Sequence, residues 1–392
     1  MGYKLNGCSG YSSLRTQKER IINPKARSRG PACLCHTKCP VMPTRSAISA
    51  CAHSFAMAVP PRCVTNHELS KLMDTSDEWI VQRSGIKTRY WVDAPTTTSD
   101  LGFAAAQQSL EKWAASKGAP AGRAPSPVDA IIAATTSPDY SFPGIGVSIQ
   151  HKLGLPAIPA FDVRNQCSGF LYSLELAESL ILAGKYQTIL VIGAEVHSTG
   201  LDISTRGRDM AVLFGDGAGS CLVSRLADAP EPGALEVLGS ELHSDGAYLR
   251  ELWCEHPGSA HFPTRVTPDL LTEGRFFPQM NGRKVFEHAV RSMSEVSLSL
   301  LTKLGLTPKD VGLFVPHQAN LRINSAIASH LGLGESQVFS TIETYGNTTA
   351  ATIPIGMTKA FEAGRILPGQ VILSAAFGSG FTWGATVFRA RD

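Results

Sequence analysis

Phe161-Asp-Val-Arg-Asn-Gln-Cys167-Ser-Gly-Phe170, continued by Leu171-Tyr-Ser-Leu-Glu-Leu-Ala-Glu-Ser-Leu-Ile-Leu-Ala183, reads as a buried strand (Phe161 to Val163), a polar turn and a long apolar helix (Ser168 to Ala183). That helix is apolar nearly all round, so it belongs inside the molecule. On either side, Ala130-Ile-Ile-Ala-Ala-Thr135 and Ile189-Leu-Val-Ile-Gly-Ala194 are unbroken apolar runs of strand length, the pattern of strands covered on both faces. Strand runs alternate with helical stretches from about Ala47 onward, which predicts an α/β layered architecture.

Cys167 stands where the turn enters the helix. A cysteine is usually a small buried hydrophobe. At a helix N-terminus, however, unpaired N–H groups and the macrodipole favour a thiolate, which predicts a lowered thiol pKa, and the same N–H groups can hold an oxyanion. Two later segments add partners. Leu313-Phe-Val-Pro-His317-Gln-Ala-Asn320 is an apolar strand ending in a histidine, after which Asn320 caps a helix closed by Gly332. Thr344-Tyr-Gly-Asn347-Thr-Thr-Ala-Ala351 is a glycine turn that carries an amide into another helix. Singly, His317 is an ordinary satisfied histidine and Asn347 a turn residue. Together with Cys167 they form the Cys/His/Asn set of thioester chemistry.

The chain has 392 residues, 43% hydrophobic and 18% charged, with no apolar run of the roughly 18 residues that a membrane span needs. Its net charge of +3 hides an asymmetry: residues 1–46 hold nine Lys or Arg against the single acid Glu19. The body is therefore mildly acidic, with interspersed charges that exclude a basic nucleic-acid face. Six of nine cysteines (Cys8, Cys33, Cys35, Cys39, Cys51, Cys63) lie early in the chain, and the sparse remainder fits a reducing compartment. Cys33-x-Cys35-His36-x-x-Cys39 has zinc-ligand residues without any strand or helix pattern around them, so a disordered basic tail is the reading for 1–46. That tail is either transit-like or an overlong start, with Met42 or Met57 as the initiator.

Further along, Lys284 to Lys303 is an amphipathic helix with Phe286, Val290, Met293, Val296 and Leu300 at helical spacing, stopped by Gly305. Trp253 to Gln279 reads as a long surface loop or lid, and Gly118 to Pro127 as a linker. Phe214-Gly-Asp-Gly-Ala-Gly219 and Phe377-Gly-Ser-Gly-Phe381 each precede a strand, an internal echo that suggests two similar halves, 47–228 and 229–392. Because these glycine runs lead into strands, they are turns and not dinucleotide loops.

With those residues in place the chain resembles the β-ketoacyl-acyl carrier protein synthase III family, the initiating condensing enzymes of bacterial and plastid fatty-acid synthesis. The resemblance runs from about Ala47 to Ala390 and is carried by Asp74-Thr-Ser-Asp-Glu-Trp-Ile-Val-Gln-Arg-Ser-Gly-Ile86, Cys167-Ser-Gly-Phe170, Phe214 to Gly219, His317-Gln-Ala-Asn-Leu-Arg-Ile323, Tyr345-Gly-Asn-Thr348 and Phe377-Gly-Ser-Gly-Phe-Thr-Trp-Gly384. It implies a thiolase-like fold, two similar α/β halves in a five-layer αβαβα arrangement, as a homodimer. Cys167 would be the nucleophile; His317 and Asn347 would serve decarboxylation, and the backbone N–H groups of Cys167 and Ser379 would form the oxyanion hole. By resemblance, Trp79 and Arg206 sandwich the CoA adenine, Arg83 and Arg322 face phosphates, Phe286 lines the tunnel and Phe142 enters from the partner subunit. Acyl-CoA and acyl carrier protein are the implied partners, with no metal or redox cofactor, in the cytoplasm or, if 1–46 is a transit peptide, the plastid. Arg164-Asn-Gln166 stands where many acetyl-using members have alanines, which suggests a primer longer than acetyl. The competing readings are a related condensing enzyme or acyltransferase of secondary metabolism, and a non-catalytic partner subunit, which the presence of Cys167 argues against.

Overall fold

The structure, a computed structural model, describes residues 49–93, 95–118, 126–230 and 233–391. The basic tail, its zinc-like cysteines and most of the 118–127 linker lie outside the described residues. Nine strands join in one mixed sheet: β1 Ala50–Ala58, β2 Ala130–Ala134, β3 Ala160–Val163, β4 Thr188–Glu195, β5 Gly217–Arg225, β6 Leu235–Ser244, β7 Val311–Phe314, β8 Val371–Gly378 and β9 Thr382–Ala390. Seven helices position the site: α1 Asp77–Ser84, α2 Thr98–Ser116, α3 Ile145–Lys152, α4 Gly169–Leu182, α5 Gly282–Lys303, α6 Leu321–Leu331 and α7 Thr352–Glu362.

The sheet order, β7-β8-β9-β6-β1-β5-β4-β2-β3, contains one topology twice. From β1 outward the first half runs β1-β5-β4-β2-β3, with β5 antiparallel to both neighbours and β2 parallel to β3 and β4. From β6 outward the second half runs β6-β9-β8-β7, with β9 antiparallel to both neighbours and β8 parallel to β7. The place of β3 is taken there by a single parallel bridge from Phe314 to Val338. The first strands of the two halves meet at Cys51–Glu236 and Ala52–Leu235. Met57 lies inside β1, so a chain begun at Met57 would lack the strand that joins the halves.

The layers follow from side-chain alternation along these strands. Ala130, Ile132, Ile189 and Val191 face one way and, with Ile372, Ala376 and Phe388 of the second half, enclose Phe170, Leu174 and Ile181 of α4 and Ile353, Met357 and Ala360 of α7. Their neighbours Ile131, Ala133, Leu190 and Ile192 face the other way, onto Leu101 and Ala105 of α2 and Ile149 of α3. In the second half Leu373, Ala375 and Val387 cover Met293, Val296 and Leu300 of α5 and Ile327 and Leu331 of α6. The result is α/β/α/β/α, with α4 and α7 as the central layer. Each fully buried Leu or Ile there contributes about 1.5–3 kcal/mol.

Most sequence expectations hold locally. Asn320 caps α6 by accepting from the Arg322 N–H at 2.9 Å, and Gly332 closes it at φ 68°. Asn281 caps α5, which begins two residues before the expected Lys284. The segment 253–279 is largely irregular, with one short helix, Pro268–Thr272. One expectation fails: β3 is not buried, because it is the outermost strand, and Phe161 is exposed.

Candidate active site

Cys167 occupies the middle of a 3-10 turn, Gln166–Ser168, that runs directly into α4. The second half brings its own backbone to this point through β8: a Cβ added at Gly378, the last residue of that strand, would lie 3.0 Å from the Cys167 nitrogen. A larger residue there would have to press the two chain segments apart. The thiol is buried, and its pKa is not lowered as the helix position predicts. It is pushed up to about 12, first by burial and then by the Glu195 carboxylate, against smaller opposing contributions from the backbone N–H of Cys167 and the Thr349 hydroxyl. Desolvation of the anion outweighs the dipole of the helix end.

His317 follows β7 by three residues and is held by its own N–H, which donates to Ala375 O at 2.8 Å. Burial pushes its imidazole down to about 3, so the ring is neutral. Nδ1 lies 2.7 Å from Thr352 Oγ1 at the start of α7, while Nε2 is buried without a hydrogen-bond partner among the described residues. The Thr352 hydroxyl has one proton and two neighbours able to accept it, His317 Nδ1 and Thr349 O at 3.0 Å. When that proton points to Nδ1, Nε2 carries the ring's hydrogen and becomes a donor.

Asn347 is fixed by its backbone, which bonds to Leu213 O at 2.8 Å and to the Gly215 N–H at 3.1 Å. Its Oδ1 accepts from the Thr349 N–H at 2.9 Å, which leaves the Nδ2 amide as the donor end. Cys167, His317 and Asn347 all line one cavity of about 950 Å3, the first from one half of the molecule and the other two from the other half.

Trp79, Arg83, Phe286 and Arg322 line the same cavity. The tie between α1 and α6 brings two of them together: the Asn320 side chain that caps α6 also donates to Arg83 O at 2.8 Å. Arg322 lies over the Phe286 ring at 5.7 Å. Arg206 is placed elsewhere. Its guanidinium is bonded to Asp202 and Thr272 O in an adjoining pocket of about 250 Å3, and the cations over Trp79 are Arg83 at 4.3 Å and Arg208 at 5.1 Å. Trp79 and Arg206 thus do not face one another across a shared gap, because Asp202 and Thr272 O, at the end of the short helix 268–272, hold the Arg206 guanidinium. Phe142 is 85% exposed on this chain and outside the cavity. Ser379 follows Gly378 directly and turns its hydroxyl to Leu252 O. Arg164, Asn165 and Gln166 are not among the residues lining the cavity, so the expectation of a longer primer draws no support from it. Glu255, His256 and His261 bring ligand-type atoms within 4.8 Å of one another in the 253–279 segment, but Arg275 already holds the Glu255 carboxylate.

Sequence reasoning missed Thr349 and Thr352, whose role lies in contacts no local pattern shows. It also missed Glu195 and His197, although an acid and a histidine at the end of an apolar strand are visible in Ile189-Leu-Val-Ile-Gly-Ala-Glu-Val-His197.

A two-fold repeated α/β sheet with a Cys/His/Asn cavity between its halves defines a thiolase-like condensing enzyme. Residues 161–246 match 3-oxoacyl-[acyl-carrier-protein] synthase III, and residues 301–390 match the C-terminal domain of the same family. The chain is 40% identical to the β-ketoacyl-[acyl-carrier-protein] synthase III of Rhodospirillum centenum over 348 residues, covering 89% of this chain and 100% of that one. It is 38% identical to the Helicobacter pylori protein of the same name over 337 residues, 85% and 96% of the two chains. The crystal structure of the Thermus thermophilus synthase III superposes with a TM-score of 0.75 at 38% identity, covering 86% of this chain and 98% of that one. The chain belongs to the 3-oxoacyl-[acyl-carrier-protein] synthase III family.

Proposed function

We propose that this protein catalyses the decarboxylative Claisen condensation of an acyl-CoA primer with malonyl-acyl carrier protein, releasing CoA and CO2 and yielding a β-ketoacyl-acyl carrier protein that starts fatty-acid synthesis. Family membership supports the reaction. The observation that carries the assignment of residues is that Cys167, His317 and Asn347 share one cavity.

Cys167 attacks the acyl-CoA thioester and becomes acylated, and the tetrahedral oxyanion is held by backbone N–H groups of Cys167 and Ser379. CoA leaves. The malonyl thioester then loses CO2, and the negative charge that develops on its thioester oxygen is met by His317 Nε2–H and Asn347 Nδ2–H. A neutral imidazole suits this role because it donates without needing a proton from solvent, and its orientation is set by Thr352. The enolate carbon attacks the acyl-Cys167 carbonyl, and the sulfur leaves as the product forms. No metal or redox cofactor takes part. Trp79, Arg83 and Arg322 contribute an aromatic face and two cations suited to the CoA nucleotide and phosphates.

The working form is a homodimer in the cytoplasm. The support for the dimer is that Phe142 and Tyr140, two large side chains two residues apart, are both exposed in a single chain. No helix among the described residues is long and apolar enough to cross a membrane. Incubation with acyl-CoA and malonyl-acyl carrier protein, following CO2 release, tests the reaction. CO2 release dependent on both substrates is expected; an acylated enzyme that never consumes the malonyl substrate would sink the proposal.

A further inference from the structure

The Cys167 thiol is buried and held protonated, so its proton must go somewhere as sulfur attacks. His317 is turned to Thr352 and serves the second step. Near Cys167 lie a buried acid, Glu195, and a half-buried histidine, His197, that neither step has used.

Glu195 is the last residue of β4 and is fully buried. Its carboxylate accepts from Thr135 Oγ1 at 3.1 Å, the Thr136 N–H and hydroxyl, and Ser137 Oγ at 2.7 Å, all on the segment that leaves β2. His197 lies two residues on, with Nε2 3.9 Å from Glu195 Oε2 and 2.5 Å from Thr349 Oγ1. The Thr349 hydroxyl in turn lies close enough to the Cys167 sulfur to favour its anion. Thr349 sits at φ 50°, a conformation uncommon for a β-branched residue, and its N–H holds Asn347 Oδ1. The backbone after it is locked in place by Gly193 of β4, where any Cβ would collide with Ala350 O. The titratable groups around Glu195 are Cys167 from the turn before α4, His197 beyond β4, and Asp216, which binds the His197 and Ser198 N–H groups.

We propose that Thr349, His197 and Glu195 form a proton path that accepts the Cys167 proton during acylation, with Glu195 as its terminal base. The proposal rests on Cys167 being the nucleophile. The S–H bond breaks as sulfur bonds to the acyl carbon; the proton passes to Thr349 Oγ1, whose own proton moves 2.5 Å to His197 Nε2 and from there across 3.9 Å to Glu195 Oε2. When the bond from the acyl carbon to CoA sulfur breaks, the CoA thiolate takes the proton back by the same route, so CoA leaves as the thiol and Glu195 is again a carboxylate. The electrostatic advantage is that one buried negative charge is exchanged for another instead of a second being created. Glu195 touches no substrate and acts only through Thr349 and His197. Burial raises its carboxyl to about 7, in the range where a base can both take and return a proton near neutral pH.

The test is the rate of Cys167 alkylation by iodoacetamide in the full chain, read by peptide mass spectrometry from about pH 5 to about pH 10. The wild type is expected to gain reactivity through a midpoint near 7, as Glu195 loses its proton and can accept another. Glu195→Gln keeps the side chain's shape, and it should lose that rise and react on the order of tenfold or more slowly at neutral pH. Glu195→Asp, which retains a carboxylate, should keep a rise. A Glu195→Gln profile superimposable on the wild type overturns the path. Should that variant fail to fold by circular dichroism, the wild-type profile decides alone, since a single rise above about pH 9 would mean that the thiol ionises unaided. Failure of the nucleophile assignment looks different: acyl-CoA would leave Cys167 unlabelled whatever the alkylation profile.

Discussion

The turn before α4 and the turn before α7 are built alike. Gln166 at φ 47° and Thr349 at φ 50° each open a three-residue 3-10 turn, Gln166–Ser168 and Thr349–Ala351, that runs into a central helix. Among the described residues, two of the three non-glycine positive-φ positions are these. Counting along each turn sets Cys167 opposite Ala350. The backbone device is therefore duplicated with the fold, whereas a cysteine stands in only one of the two turns. The strand exits differ in the same way: the segment after β2 carries the hydroxyls that bind Glu195, and the segment after β7 carries His317. The repeated geometry supplies the placement, and the side chains placed on it differ between the halves. Conformations such as Gln166 and Thr349 cost on the order of 1–3 kcal/mol each and persist where the surroundings over-determine them.

The strongest way to break this comparison is to exchange the two turns' side chains. Cys167→Ala should reduce covalent acyl-enzyme formation to background. Adding Ala350→Cys to that variant should restore nothing, because the second turn faces none of the oxyanion N–H groups proposed for the first; recovery of acylation in intact-protein mass spectra would show that backbone position alone makes the nucleophile. A smaller effect is expected at Thr352, the residue that orients His317. Thr352→Val should slow CO2 release about tenfold while leaving the acyl-enzyme yield intact, as loss of an orienting partner usually does.

The Glu195 environment predicts a pH effect on stability. Its carboxyl is raised from 4.5 to about 7 in the folded chain. Between those values the unfolded chain has released a proton that the folded chain retains, so the contribution of Glu195 to stability is greatest below about 4.5, falls as pH rises through the window and levels off above about 7. Urea unfolding of Glu195→Gln at the two ends of the window should show the variant gaining on the wild type as pH rises; parallel dependence would contradict the assignment. The smallest effect is at Asn320, which caps α6 and ties it to Arg83. Asn320→Ala should cost about 1 kcal/mol by urea midpoint, with CoA affinity weakened more than carrier-protein affinity.

The contrast between the halves also explains what was legible in the sequence. Ala130–Thr135, Ile189–Ala194 and the α4 helix announce themselves by unbroken apolar runs, and Asn320 with Gly332 marks the ends of α6 by cap chemistry. The exposure of β3 is hidden in the sequence because an edge strand and a central strand share the same short apolar pattern; only the sheet order separates them. The site was legible as residue types, Cys167, His317 and Asn347, and their surroundings were not. The Cys167 pKa moves opposite to the direction a helix end alone would give, because desolvation depends on what the fold packs around the thiol, and the Glu195 carboxylate that adds to it comes from a distant strand. Arg206 departs from its expected place because resemblance fixes its position in the chain, whereas Asp202 and the 268–272 helix fix its side chain.

The central claim is that Cys167 performs acylation while His317 and Asn347, from the other half, serve decarboxylation. Rapid-quench measurement of both partial reactions in His317→Ala and Asn347→Ala tests it most directly. Acyl-enzyme formation is expected at close to the wild-type rate, with CO2 release slowed by about 10²–10³. A parallel fall of both rates in either variant would contradict that division of roles.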